Sequence, residues 1–92
     1  MTEYTISKKT ENLYRKLKCN INIIVELYEH GFKTFDESVK AITEEEEEFS
    51  SMRDSMYRYG LISEKDYSAT THMAWMISNM AHERCIEIKY SK

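Results

Sequence analysis

The chain contains no proline and only two glycines, Gly31 and Gly60, which cut it into three stretches of similar length. That poverty of breakers removes the punctuation that all-β folds and phosphate-cradling loops depend on, and it leaves helix as the default. Each glycine stands where a helical pattern runs out, the usual place for a residue that must turn left-handed beyond the last helical carbonyls.

Three amphipathic segments follow. The first runs from about Lys8 to His30, with Leu13, Leu17, Ile21, Ile24, Leu27 and Tyr28 at helical spacing. Ile23 and Val25 lie off that stripe, so this helix carries more apolar surface than one face needs. The second opens at Thr34, where Thr34 and Glu37 form the T-x-x-E pattern of a capping box, and Phe35, Val39, Ile42, Phe49, Met52 and Met56 mark its inward face. The third starts at Ser63, with Asp66 three residues on, and continues through Thr70, Met73, Ala74, Ile77, Met80 and Ala81 to Cys85. The five methionines from Met52 to Met80 are assigned to the core. Short connections make neighbouring helices antiparallel, so two successive αα-hairpins give an all-α, three-helix antiparallel bundle in a single domain spanning residues 1 to 92.

The termini break the helical rule. Tyr4 and Ile6 alternate with polar residues, as do Ile86, Ile88 and Tyr90. They either pair as a two-stranded ribbon or leave the third helix to continue. Because an isolated ribbon is marginal, a fraying helix or a short extended tail is the expectation.

Residues 41 to 51 read AITEEEEEFSS. A helix turns about 100° per residue, so five consecutive glutamates girdle it and at least one must face inward. The stripe through Ile42 and Phe49 asks for an apolar residue at 45 or 46 and meets Glu45 and Glu46. Folding the hairpin about residue 32 brings this position near Cys19 and Asn20, with Lys16 a turn away; folding about residues 61 and 62 brings it near Ile77, Ser78 and Asn79. A polar layer of Glu46, Ser78 and Asn20 or Lys16 is expected, either to set register or to form a binding notch.

The remaining carboxylates make the middle of the chain acidic. Residues 34 to 66 hold ten acidic and four basic side chains within a chain of net charge -3. Arg15, Lys16 and Lys18 of the first helix answer part of that field, and the rest forms a ridge suited to a basic surface. Candidate partner-binding residues are Glu44, Glu47, Glu48 and Asp54 on this ridge, Tyr57, Arg58 and Tyr59 at the end of the second helix, and Trp75 off the stripe of the third. Tryptophan, tyrosine and arginine are the types that dominate interface energetics.

Other chemistry finds little support. Cys19 and Cys85 form no CxxC, and His82 and Cys85 stand three apart without a nucleophile-bearing turn. HERC at residues 82 to 85 lacks a second ligand pair, His30 and His72 are solitary, and no paired Glu-x-x-His element exists. No metal or cofactor is expected. Lys8, Lys9, Arg15, Lys16 and Lys18 with Tyr4 and Tyr14 are the only stretch resembling a nucleic-acid face, and the acidic total argues against direct nucleic-acid binding. No apolar run reaches the roughly 18 residues of a membrane span, and the N-terminus has no apolar signal segment, so a cytoplasmic protein is expected.

The expectation is therefore a non-enzymatic regulator or inhibitor that occludes a functional surface of a larger host protein, one that handles nucleic acid. Short length and a composition rich in lysine, isoleucine, tyrosine and methionine suit a phage or mobile-element anti-defence product. Leftover apolar surface suits a homo-oligomer. The alternative is an oligomeric sponge holding an anionic small molecule such as a nucleotide between protomers, with Lys8, Lys9, Arg15 or Lys16 on phosphate and Tyr14 or Trp75 stacked on a base. A low-activity enzyme using His82 and Cys85 is a third reading.

Overall fold

A computed structural model describes residues 6–91. It contains three helices, α1 (Lys8–Glu29), α2 (Phe35–Arg58) and α3 (Glu64–Ser91), and each packs against both others. The fold is a three-helix bundle.

Local sequence sets every helix end. The Ser7 side chain accepts the Thr10 amide at the start of α1, Thr34 and Glu37 close a complete capping box at α2, and Ser63 accepts the Asp66 amide at α3. At the far ends, Phe32 N–H reaches Leu27 C=O while Gly31 N–H reaches Tyr28 C=O; Leu61 to Met56 and Gly60 to Tyr57 repeat the pattern. Both are Schellman motifs, and both need the left-handed residue that Gly31 (φ 84°) and Gly60 (φ 73°) supply.

Leu17, Ile21, Ile24 and Tyr28 of α1 pack with Ile42 and Phe49 of α2 and with Ala74, Ala81, Cys85 and Ile88 of α3. Cross-helix contacts fix the directions. Tyr28 meets Phe35 edge-on at 6.0 Å beside the first turn. Thr10 bonds Asp66 near one end of the α1–α3 pair and Glu29 bonds Arg84 near the other, so α1 and α3 run parallel with α2 antiparallel between them.

One expectation is corrected. Among the methionines assigned to the core, Met52, Met76 and Met80 are exposed and Met56 and Met73 are only half-buried. Small residues take the inward positions of α3 instead: Ala69, Ala74, Ser78 and Ala81 are buried. They allow close helix approach and turn the larger side chains outward. Of the alternatives left open for the C-terminal segment, the structure has the helix, which continues to Ser91 because Ala81, Cys85 and Ile88 form a buried stripe at helical spacing. Ile86 and Tyr90 point to solvent, so their alternation with Ile88 is incidental. Tyr4, the other half of the expected ribbon, lies outside the described residues; Ile6 is half-buried and non-helical.

Candidate functional site

The glutamate run divides by helical angle. Glu44, Glu47 and Glu48 are exposed on the outer face of α2, whereas Glu45 and Glu46 are half-buried on its two flanks. Asn20 of α1 donates to Glu45 at 3.1 Å, and Ser78 of α3 donates to Glu46 at 3.1 Å. The expected polar layer exists, with its two partners shared between two carboxylates rather than gathered on Glu46. Each inward acid thus meets one neighbouring helix, and neither is stranded.

The outer acids are almost free of local compensation. Lys40 lies 4.0 Å from Glu44, a helix-surface pair that contributes little. Glu47 and Glu48 make no ion pair among the described residues. The i, i+7 spacing of Glu47 and Asp54 places them on one side of α2, and Asp36 and Glu37 extend negative charge toward its N-terminus.

Asp54 is committed within the chain. It accepts from the Tyr67 hydroxyl at 2.7 Å and from Arg53 at 3.1 and 3.3 Å. The Tyr67 hydrogen bond, reinforced by the Arg53 guanidinium, holds the Asp54 carboxyl below the usual carboxylate range although partial desolvation opposes it. The same bond pushes the Tyr67 hydroxyl up. Arg53 is buried, with its guanidinium 4.6 Å from the Tyr67 ring centroid and 5.8 Å from that of Phe49. Neither Arg53 nor Tyr67 stands out in the sequence. The available signal is that Arg53 occupies the stripe position one turn after Phe49, where an arginine stem can pack while its head finds a carboxylate.

This anchor supports an aromatic corner. Tyr57 packs on Tyr67 at 4.7 Å between ring centroids, and His72 stacks on Trp75 at 6.3 Å. Tyr57, Tyr67, His72 and Trp75 line one open groove of 640 Å³ between α2 and α3, together with Glu64, Ser68 and Thr71. The structure therefore brings Tyr57 and Trp75 together. Tyr59, in the C-cap position of α2, and Arg58 are exposed but do not line this groove.

The basic residues of α1 are elsewhere. Arg15 pairs with Glu11 on its own helix. Lys16 lines a narrow groove of 90 Å³ between α1 and α2 whose other charged members are Glu45 and Glu48. Two carboxylates in that groove repel a phosphate, Trp75 lies in the other groove, and Tyr14 packs against the core. A single chain does not assemble the nucleotide site that the sequence suggests.

Cys85 is fully buried, and burial pushes its thiol up although Arg84 opposes this. Attack by a thiolate needs the opposite environment. The neighbouring His82 has its Nε2 buried without a hydrogen-bond partner among the described residues. Those residues contain no group of three His, Cys, Asp or Glu side chains placed to hold a metal, and no helix long and apolar enough to cross a membrane. No protein-family model matches the chain, and neither does any curated protein or solved structure compared with it.

Proposed function

We propose that the protein is a small, non-enzymatic regulator or inhibitor that binds a larger host protein through the acidic outer face of α2 and the aromatic groove beside it. The observation that carries this reading is the separation of roles within the glutamate run. Glu45 and Glu46 are used by the fold, while Glu44, Glu47 and Glu48 are exposed together with one weak ion pair, Lys40–Glu44, among them and Lys16 in the groove beside Glu48. A carboxylate cluster of this kind accelerates encounter with a basic surface, and rigid aromatics a few turns away supply contact area at low entropic cost.

The partner surface that fits is basic, as on a protein that holds nucleic acid, and covering it would block that function. This is the behaviour of an anti-defence product of a phage or mobile element, the origin that the composition suits. The anionic-ligand sponge, which would hold its ligand between protomers, is the weaker reading, because Lys16 shares its groove with Glu45 and Glu48.

The test is affinity capture from host lysate with the wild-type chain and with a Glu44→Gln/Glu47→Gln/Glu48→Gln variant. A partner held by the wild type should bind the variant about tenfold or more weakly at low salt, lose affinity as salt rises, and release its nucleic acid when the wild-type chain binds. Equal retention of every captured protein by both chains overturns the proposal.

A further inference from the structure

We propose that the outer face of α3 is a self-complementary interface through which two copies of this chain pair antiparallel about Ala81. It does not depend on what the acidic face of α2 binds, and it shares only His72 with the aromatic groove beside that face.

α3 is apolar on two sides. Its inward stripe builds the core, yet Met76 (44%), Ile86 (46%) and Tyr90 (79%) are exposed on the opposite side, with Trp75 (59%) and Met80 (60%) on its two flanks, where they line grooves shared with α2 and α1. A helix apolar on opposite faces is buried on both in its working state. The outward residues, exposed except for the half-buried Asn79, also have an order. His72, Met76, Asn79, Glu83, Ile86 and Tyr90 follow one another at alternating steps of four and three, the spacing of a coiled-coil seam.

That seam reads the same in both directions about Ala81. In an antiparallel pair, Asn79 falls opposite Glu83 of the partner subunit, Met76 opposite Ile86 of the partner subunit, and His72 opposite Tyr90 of the partner subunit. Each match sets one seam position against the complementary one, as antiparallel packing requires. The layers match in chemistry too: two aromatic end layers, two apolar layers, and a polar centre in which the Asn79 amide donates to a carboxylate. A two-fold interface must be complementary to itself, and a palindromic seam has that property without a second sequence. The polar centre supplies what a lone polar residue supplies in coiled coils, a reason to prefer one register over its neighbours. Met80 lies beside the seam near the two-fold axis, where the two copies of it meet.

The face from His72 to Tyr90 is about 27 Å long and about 10 Å wide, which puts the pair at the small end of specific interfaces and its dissociation constant in the micromolar range. Sedimentation equilibrium of the full chain should show a monomer–dimer equilibrium, and a Met76→Glu/Ile86→Glu variant should weaken it about a hundredfold or more. Both positions are exposed, so the variant should keep the wild-type helical signal. Register is tested by oxidation in a Cys19→Ser background, where the buried Cys85 stays silent. Met76→Cys chains mixed with Ile86→Cys chains should cross-link far better than either alone. A chain that stays monomeric to about 1 mM, a dimer indifferent to the two glutamates, or self-cross-linking of either single-cysteine chain to the level of the mixture each overturns the proposal.

Discussion

The Thr10 hydroxyl donates to the Asp66 carboxylate at 2.9 Å inside the protein, joining residues 56 positions apart. The Ser7 amide donates to the same carboxylate oxygen at 3.1 Å. One aspartate therefore ties the N-terminus of α1 to that of α3. Both helix ends present partial positive charge, which a carboxylate offsets.

Removing this acceptor should be costly. Asp66→Ala leaves the Ser7 amide without its acceptor and the buried Thr10 hydroxyl with only the Ser7 hydroxyl as partner, so urea unfolding should show a loss of about 2 kcal/mol with little change in slope. Thr10→Val should cost about 1 kcal/mol, and the double variant should be less destabilised than the sum of the two.

The same carboxyl makes stability depend on pH. Desolvation alone would raise it, but the bonds from Ser7, Thr10 and Ser63 outweigh burial and hold it below the ordinary aspartate range. A carboxyl lowered in the folded state contributes stability that is present above the unfolded value of about 3.9 and is lost as pH falls through the folded one. Asp54 and Glu37, also lowered, act in the same sense. The urea midpoint should therefore drop from pH 5 downward, and Asp66→Asn should flatten that slope. An unchanged slope in the variant would assign the acid sensitivity elsewhere.

The half-buried Glu46–Ser78 pair serves register more than stability. Replacing both partners together, Glu46→Leu with Ser78→Ala, leaves no polar group behind and should raise thermal stability by about 1 kcal/mol. Ser78→Ala alone should not stabilise, since Glu46 then loses the donor it meets on α3. Thermal melts of the three variants separate these outcomes.

At the turns, a methyl group on Gly31 or Gly60 would meet no atom within 4 Å, so any penalty comes from the backbone. Gly31→Ala and Gly60→Ala should each cost about 1 kcal/mol through the positive φ, and Gly→Asn distinctly less. Comparing the alanine and asparagine melts at each site checks this.

The two thiols should differ sharply in reactivity. Cys19 is exposed and Cys85 is buried. A thiol reagent should titrate one group per native chain and two after denaturation, and any fast reaction of Cys85 in the native protein would contradict the packing around Ile88.

Helix number, direction and all boundaries but the end of α3 were legible in the sequence because they depend on local chemistry. Thr34 and Ser63 cap, Gly31 and Gly60 turn, and a stripe such as Leu17, Ile21, Ile24 and Tyr28 needs only a period of 3.6 to declare its inward face. The angular argument also showed that the glutamate girdle must turn inward somewhere. Which acid met which neighbour was a matter of tertiary structure, since Asn20 and Ser78 reach Glu45 and Glu46 only once three helix axes are fixed relative to one another. The methionines misled for the same reason. Close approach of α3 at Ala74, Ser78 and Ala81 left no room for Met76 or Met80 inside, and hydropathy along one helix carries no information on how near the next will come. Arg53, Tyr67 and Asp66 were hidden because a buried charged residue is tolerated only through its partners, and those partners are distant in sequence and adjacent only in space.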